Sequence, residues 1–251
     1  MTKKNKEIKK VLINKEKKYY IRDLSNDYHS NDGYIKAAEL KKAKDGTLLK
    51  TNKGKEFSIF SAGFQDKYEK LDRSAQIIPK KDLGTIISYT GIGKDSVIVD
   101  AGTGSGALCC FLANIAKKVV SYDVREDHQE FAERNVKLLG LKNVTLKIKD
   151  ISTGIDEKNI DMISLDLPDP WMAIESCAKA LKVGGYIISY SPTIPQVSDF
   201  VEAVNDREEL IHLQTIEIVE REWQVEGRRV RPKTQQIGHS GFLSFARKVK
   251  K

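Results

Sequence analysis

The chain has 251 residues, 40% of them hydrophobic, which is enough for one large domain and a smaller one. No apolar run approaches the roughly 20 residues that a membrane-spanning helix needs, and no apolar block of a signal peptide follows the lysine-rich start. We therefore expect a cytoplasmic protein without a membrane anchor. The formal net charge of +8 favours a polyanionic partner.

The positive charge is concentrated at the amino terminus, where eight lysines fall within the first 18 residues. Such a run is commonly a solubilising arm. In this chain, aromatic residues are interleaved with the lysines. Their rings can stack on unpaired bases or fill the core of a small barrel. These residues are Tyr19, Tyr20, Tyr28, Tyr34, Phe57, Phe60 and Phe64.

The first 70 residues have the pattern of a β-rich module. Residues 47–50 and 55–60 flank Asn52-Lys53-Gly54, which is a hairpin signal. A charged segment over 65–72 is the expected linker. We predict a small β-rich domain with a basic arm over residues 1–70 and a larger domain over 71–251.

The larger domain begins with a helix over 81–89 and a buried strand that leads into glycines at alternate positions. The strand is Val97 to Asp100, and the glycines are Gly102, Gly104 and Gly106. Without Cβ atoms, they permit a tight turn and a close approach of the backbone to a nucleotide. Because Ala107 completes a dinucleotide fingerprint as well, the glycines alone do not identify the ligand.

Alternating helices and strands follow the glycine loop, and carboxylates stand at the ends of the strands. In an open parallel sheet, the carboxyl ends of strands face the ligand crevice. We therefore expect Asp123 to bind a ribose, Asp150 to bind an adenine amino group, and Asp166 to share their rim. The predicted helices are 107–116 and 128–139, and the predicted strands are 119–123, 144–148 and 160–165.

These carboxylates favour S-adenosylmethionine over a nicotinamide cofactor. No basic residue beside Gly106 could meet a pyrophosphate, and the nearest downstream are Lys117 and Lys118. S-adenosylmethionine has no phosphate but carries a sulfonium and an ammonium group, which acidic residues complement. The alternative is that the aspartates only cap helices or end strands.

The remaining pattern completes an α/β domain. We predict a helix over 172–181, a turn over 182–185, a strand over 186–191, a helix over 196–204, and strands over 210–219 and 241–247. The three cysteines, Cys109, Cys110 and Cys177, lack metal-ligand spacing, so we expect buried free thiols and no metal.

Four motifs together resemble the TrmI type of tRNA adenine-N1 methyltransferases, over residues 70–251. They are the segment 74–78, the glycine loop, Asp166-Leu167-Pro168-Asp169-Pro170-Trp171, and the segment Gln235 to Leu243. The resemblance implies a Rossmann-like class I methyltransferase sheet, methylation of adenosine 58 and in some members also 57 in the T-loop of tRNA, and a homotetramer. It also implies cofactor contacts at Ser105, Gly106, Ala107, Leu108, Asp123, His128, Asp150 and Asp166, besides Gly102 and Gly104 of the loop.

The chain departs from this family at one position. Many members have Tyr-Pro-Lys-Asp where this chain has Pro79-Lys80-Lys81-Asp82, so a tyrosine that could line the site is missing. Tyr190, at the end of the fifth strand, is a candidate to stack on the target base, or else it only packs. We expect Trp171 to brace the turn after Asp166 rather than to contact substrate.

The chemistry at Asp166 follows from the target atom. Adenine N1 carries an in-plane lone pair, so the reaction needs alignment more than deprotonation. A carboxylate that accepts a hydrogen bond from the N6 amino group orients N1 and stabilises the growing positive charge. The alternatives are a methyltransferase acting on protein or a small molecule, a noncatalytic tRNA-binding subunit, and, least favoured, a nicotinamide oxidoreductase.

Overall fold

A computed structural model describes residues 7–73 and 76–251. The chain divides into two compact units. One comprises the residues up to Asp72 with the short segment 137–140, and the other comprises 73–136 and 141–251. The division after Asp72 lies close to the boundary predicted at residue 70. In the described part of the chain, no helix is long and apolar enough to cross a membrane.

The first unit is built on an antiparallel sheet. Its elements are β1 (Lys10–Ile13), β2 (Lys18–Ile21), β3 (Tyr28–Ser30), β4 (Gly33–Ile35), α1 (Ala37–Lys42), β5 (Leu48–Lys50), β6 (Glu56–Ser61) and α2 (Phe64–Tyr68). The strand order is β2-β1-β6-β5, and β3 pairs with β4 separately. The predicted hairpin is confirmed, since Lys50 pairs with Glu56. The prediction of a linker from residue 65 is wrong, because 64–68 form α2.

Aromatic side chains contribute to the core of this unit. Phe57 is 1% exposed, and the Tyr19 ring lies 5.5 Å from Phe57 and 6.1 Å from Tyr28. The β-branched and aromatic residues therefore fill the inner face of the sheet, as period-two alternation requires. For these three rings, the structure favours the core interpretation over base stacking.

The basic start is only in part an arm. β1 is an inner strand of the sheet, and its Val11 and Leu12 are buried. Lys10 pairs with Asp45 at 2.7 Å, and Lys17 pairs with Asp32 at 2.7 Å. The expectation of a free basic arm is therefore wrong for this stretch, whereas Lys3, Lys4 and Lys6 lie outside the described residues.

The second unit is a layered α/β domain. Its elements are α3 (Lys80–Thr90), β7 (Val97–Ala101), α4 (Ala107–Ala113), β8 (Lys118–Asp123), α5 (Glu126–Leu139), β9 (Val144–Ile148), β10 (Ile160–Leu165), α6 (Ile174–Ala180), β11 (Leu181–Ser191), α7 (Ile194–Asn205), β12 (Leu210–Glu217), β13 (Trp223–Glu226), β14 (Arg229–Pro232) and β15 (Phe242–Lys248). Short 3₁₀ turns cover Ile151–Thr153 and Pro170–Ala173.

Seven strands form one sheet in the order β12-β15-β11-β10-β7-β8-β9. β15 runs antiparallel to both of its neighbours, and the pairs among β11, β10, β7, β8 and β9 are parallel. The inner strands are nearly all apolar because helices cover both faces of the sheet. Parallel pairing brings the ends of β7, β8, β9 and β10 to one edge, so the residues that follow them meet there.

Two features of this unit differ from the prediction. The expected turn at 182–185 is a bulge inside β11, because β11 pairs with β10 on both sides of it, at Leu181 and again from Tyr186. Gly185 is required in the bulge, since a Cβ there would lie 2.9 Å from the Ile160 carbonyl oxygen. The segment 220–240, predicted without regular structure, contains the hairpin β13–β14.

The three cysteines are free and fully buried, as predicted. Cys109 and Cys110 lie on α4, and Cys177 lies on α6 within the main core. Burial raises the pKa of the Cys177 thiol, which therefore packs as a small neutral side chain.

Candidate active site

A cavity of about 490 Å³ opens at the carboxyl edge of the seven-stranded sheet. Residues from five segments line it: the stretch before α3, the glycine loop after β7, the end of β8 with the start of α5, the end of β9, and the loop after β10. They include Gln76, Ile77, Ile78, Gly102, Thr103, Gly104, Ser105, Ala107, Leu108, Asp123, Val124, Arg125, His128, Lys149, Asp150, Ile151, Asp166, Leu167 and Pro168. The volume suits a small-molecule ligand.

The glycine loop is anchored to the strands on both sides of β7. On one side, the Thr103 amide donates to the Tyr122 carbonyl over 3.0 Å. On the other side, the Gly102 amide donates to the Asp166 carbonyl over 3.2 Å. Gly104 has φ +52°, a conformation that glycine adopts at low cost. The loop therefore has a fixed shape before any ligand binds.

Gly106 has a packing role, and its predicted cofactor contact stays a prediction. It is not among the described residues that line the cavity. It has φ +76° at the start of α4, and a Cβ there would lie 2.9 Å from the Cβ of Ala132 on α5. Any side chain at this position would push the two helices apart. The glycine is thus explained by close helix packing.

Asp123 lies at the end of β8 and connects three parts of the site. Its Oδ2 accepts from the Gly104 amide at 2.8 Å and lies 3.1 Å from His128 Nδ1. Its Oδ1 accepts from the Arg125 amide at 3.0 Å. Oδ2 thus has two partners, whereas Oδ1 has one and keeps a second lone pair that can accept from a ligand hydroxyl.

Asp150 follows β9 and also lines the cavity. Its Oδ1 accepts from the Ser152 amide at 2.8 Å and from the Ser152 hydroxyl at 2.7 Å. The carboxylate therefore caps the turn Ile151–Thr153, which is the structural alternative that the sequence left open. Both of these bonds use Oδ1, so capping does not occupy Oδ2.

Asp166 begins the loop after β10. Its amide donates to the Ala101 carbonyl over 2.5 Å, which ties it to the end of β7. Water reaches the side chain through the open cavity, but surrounding protein atoms remove most of its hydration. This burial raises the pKa of Asp166 to about 6. A carboxyl group with this pKa changes its charge close to physiological pH.

Tyr190 is not brought to the cavity. Its side chain is 8% exposed, and its hydroxyl donates to the Ser240 carbonyl over 2.7 Å. A Cβ on Gly241 would lie 2.5 Å from the Tyr190 ring, so the ring is covered by backbone. Of the two interpretations of Tyr190 from the sequence, this arrangement favours packing within the protein. Stacking of the ring on a base would require the segment around Gly241 to move.

Sequence reasoning missed several lining residues. Gln76, Ile77 and Ile78 belong to a motif that the sequence singled out, but no role was given to them, and Ser74 and Ala75 lie outside the described residues. Val124 and Leu167 each follow a predicted carboxylate directly. Apolar residues directly after strand-end carboxylates could therefore have been predicted to form cavity walls that pack against the rings of a ligand.

Asp100 lies below the glycine loop and is fully buried. Its Oδ2 accepts from Ser121 Oγ at 2.6 Å, whereas Oδ1 has no hydrogen-bond partner among the described residues. Burial, opposed by the Ser121 hydrogen bond and assisted by the charges of Asp166 and Asp123, raises the pKa of Asp100 to about 7. Asp100 is therefore a carboxyl group that holds its proton well above the usual pH range.

Comparisons with known proteins agree with this geometry. The family model for the tRNA methyltransferase complex GCD14 subunit matches residues 68–233. The chain belongs to this family. A relative from Methanocaldococcus jannaschii, the tRNA (adenine(57)-N(1)/adenine(58)-N(1))-methyltransferase TrmI, is 34% identical and aligns over 95% of this chain and 94% of its own.

Solved structures give the same result for the fold. The tRNA (m1A58) methyltransferase TrmI from Aquifex aeolicus has a TM-score of 0.81 and 25% identity over 99% of this chain and all of its own. A SAM-dependent O-methyltransferase from Thermotoga maritima has a TM-score of 0.87 and 30% identity over all of this chain and 95% of its own. The α/β unit of this GCD14 family member is thus a class I methyltransferase fold, which confirms the predicted fold class.

The buried Asp100 predicts how stability depends on pH. The folded chain keeps this proton up to about pH 7, whereas an unfolded aspartate, with its ordinary pKa of 3.8, loses it much earlier. The unfolded state therefore binds fewer protons between these values, and Asp100 lowers stability as pH rises through them. We expect Asp100→Asn, which mimics the neutral form, to gain stability relative to the natural chain between pH 4 and pH 8.

Urea unfolding without added cofactor measures this difference. The two unfolding midpoints should separate progressively as pH rises. Curves that stay parallel from pH 4 to pH 8 would mean that Asp100 has no raised pKa.

Proposed function

We propose that the chain methylates N1 of adenosine 58 in the T-loop of tRNA, with S-adenosylmethionine as methyl donor. The observation that carries this proposal is the position of Asp166, held by backbone hydrogen bonds beside the glycine loop at the cavity edge. A carboxylate fixed there can align a base with the donor. The family membership and the TrmI relatives support the same reaction.

The cavity residues fit this cofactor. Ser105 lines the cavity, and its Oγ is buried without a hydrogen-bond partner among the described residues, so a ligand group would satisfy it. Asp123 would hold the ribose, Asp150 would meet the adenine amino group, and Val124 would cover the ring. The cofactor supplies an electrophilic methyl group on a sulfonium ion, which suits a site rich in carboxylates.

Asp166 would orient the target base. Its ionised carboxylate accepts a hydrogen bond from the N6 amino group, which points N1 into the cavity. As positive charge grows on the ring, the fixed negative charge of Asp166 stabilises it without reorganisation. N1 has its own lone pair, so no residue has to remove a proton before transfer. In the folded tRNA the base must first be exposed, at a cost of a few kcal/mol.

The proposal also specifies the target position in the tRNA and the catalytic status of the chain. Position 57 is a second target, favoured by the name of the M. jannaschii relative, which includes both positions. A noncatalytic tRNA-binding subunit is disfavoured, because Asp166 and the glycine loop are both in place at the cavity. Since tRNA is the substrate, we place the reaction in the cytoplasm.

The first unit offers a surface for tRNA on its two hairpins. On the outer side of β3–β4, the rings of His29 and Tyr34 lie 5.6 Å apart. The exposed Lys36, Lys53 and Lys55 lie on this hairpin's end and the adjoining β5–β6 loop, and none has an ion-pair partner within the described residues. Unpaired cations beside an aromatic pair suit phosphates and unstacked bases.

We also propose a homotetramer, and the hairpin β13–β14 supports an assembly. Its cross-strand pairs place Trp223, Val225, Val230 and Pro232 on one face. Trp223 is 53% exposed and Val225 is 67% exposed. Apolar faces of this kind mark interfaces.

Light scattering should give four times the chain mass, and Val225→Glu with Val230→Glu should give smaller species. A natural chain that stays monomeric at micromolar concentration contradicts the tetramer.

For the chemical step, we expect Asp166→Asn to lower the single-turnover methylation rate by about 10²-fold, the scale of one missing electrostatic stabiliser. The amide still accepts from N6 but carries no charge. In the natural enzyme, the rate should rise with pH and level off above about pH 6, because only the ionised form of Asp166 acts. A bound sulfonium cation lowers this midpoint. The variant should not show this pH dependence.

Mass spectrometry of digested tRNA identifies the product. N1-methyladenosine at position 58 is expected, whereas a product methylated only at another atom, such as a ribose oxygen, would contradict the proposed reaction. Urea unfolding of the variant, compared with that of the natural chain, serves as the control for folding. A near-natural rate in Asp166→Asn at saturating tRNA would contradict the mechanism.

For tRNA binding, we expect Lys36→Gln, Lys53→Gln and Lys55→Gln together to weaken affinity and flatten its salt dependence. The slope of log affinity against log salt should fall by about 0.7 to 0.9 for each phosphate that the protein no longer neutralises. Fluorescence anisotropy at several salt concentrations measures this slope.

The control variant removes the same charge elsewhere. Lys179, Lys182 and Lys250 are exposed and already paired with Glu175, Asp161 and Glu208. Replacing these three with Gln should change the slope less. Equal slopes in both variants would remove the two hairpins from the tRNA surface.

A further inference from the structure

A buried polar cluster lies outside the lining of the cavity, where the start of α3 meets the segment before β15. Lys81 Nζ lies 2.9 Å from both carboxylate oxygens of Asp82 and 2.6 Å from Ser240 Oγ. Ser240 Oγ donates to Asp82 Oδ2 over 3.1 Å. The Asp82 side chain is fully buried, and that of Lys81 is 10% exposed. We call these three residues the α3 anchor.

Burying an ion pair is costly, and apolar residues of similar volume often stabilise a fold as well or better. The α3 anchor is therefore a poor device for stability alone. What an apolar pair could not do is specify one hydrogen-bonded position for Ser240, which lies 158 residues further along the chain. The buried pair costs folding free energy, but it fixes the position of the segment 239–241.

A second set of bonds fixes the same segment from the other side. His239 Nδ1 lies 2.5 Å from Glu217 Oε1, and its Nε2 donates to the Pro192 carbonyl over 2.8 Å. The hydrogen bond to the Glu217 carboxylate raises the pKa of His239 above its usual value. The Ser240 carbonyl accepts from the Tyr190 hydroxyl at 2.7 Å. The segment thus joins the ends of β11 and β12 to α3.

Both ends of this set of bonds reach the cavity walls. On one side, the Pro79 carbonyl accepts from the Asp82 amide at 3.0 Å, and Pro79 directly follows Ile78, which lines the cavity. On the other side, Pro192 is followed by Thr193, whose hydroxyl donates to Gln196 Oε1 over 2.7 Å, and Gln196 Nε2 donates to the carbonyl of Pro168, another lining residue, over 2.8 Å. Leu165 at the end of β10 pairs with Ser189 on β11, so Asp166 and Tyr190 directly follow paired residues on neighbouring strands, and Tyr190 is hydrogen-bonded to Ser240.

We propose that Lys81 and Asp82 are positioning residues for methyl transfer, which hold the segment 239–241 as the wall that confines the target base beside Asp166. This role rests on the proposed function. Neither residue contacts the cofactor cavity, and cofactor affinity should not depend on them.

Two double variants separate positioning from stability. Lys81→Met with Asp82→Ala removes both charges and the acceptor for Ser240. Lys81→Met with Asp82→Asn removes the same charges but keeps an acceptor for the Ser240 hydroxyl. Arg207→Met with Glu209→Gln is the matched control, because that pair is separated by 2.6 Å and is partly buried on the same unit.

We expect the Ala variant to lower the single-turnover rate about 10- to 100-fold at saturating tRNA, as small misplacements of reacting groups do. Its cofactor affinity by calorimetry and its KM for tRNA should stay within about twofold of the natural values. The Asn variant should recover most of the rate, and the control should keep it. A rate per folded molecule that is unchanged in the Ala variant, or lowered equally in the control, would overturn the positioning role.

Hydrogen–deuterium exchange gives a readout that needs no substrate. Amides of residues 239–241 should exchange faster in the Ala variant than in the Asn variant, while the glycine loop remains protected. Unchanged exchange there overturns this inference even if tRNA is methylated as proposed. Failure of the natural enzyme to methylate tRNA adenosine would instead overturn the proposed function, and the exchange result would still stand.

Discussion

The Asp166 amide donates to the Ala101 carbonyl over 2.5 Å, and the Gly102 amide donates to the Asp166 carbonyl over 3.2 Å. These two backbone bonds extend the pairing of β10 with β7 beyond the last paired residues, Leu165 and Ala101. They fix the loop that carries Asp166 against the glycine loop. The distance between the two functional loops is therefore set by the sheet and does not depend on side-chain flexibility.

The same edge of the sheet gathers negative charge, and this has an electrostatic cost. Asp100, Asp123 and Asp166 lie close enough for their charges to raise the pKa of Asp100. The Gly104 amide and His128 offset part of the charge on Asp123. A cationic ligand would relieve the remaining repulsion between these carboxylates. The repulsion therefore favours S-adenosylmethionine over a phosphate-bearing cofactor.

Different groups of the described residues serve the proposed cofactor binding, base orientation and tRNA binding. In the proposed function, the glycine loop and the ends of β8 and β9 would hold the cofactor, and Asp166 would face the substrate. The α3 anchor and the bonds of His239 to Glu217 and Pro192 would hold a wall beside the base without contacting the cofactor. Because these groups use different bonds, cofactor binding, base orientation and tRNA binding can each be altered separately by substitution.

The sequence by itself determined the α/β order, the glycine loop and the strand-end carboxylates, because local periodicity and glycine geometry are short-range properties. The strands 144–148 and 160–165 were placed correctly for this reason. Only the tertiary structure decided that Gly106 serves helix packing and that Tyr190 is covered by Gly241. It alone joined Asp82 to Ser240, since a contact across 158 residues leaves no periodic signal. Ion pairing likewise depends on which surfaces meet, so it was the fold that paired Lys10 with Asp45 and Lys17 with Asp32.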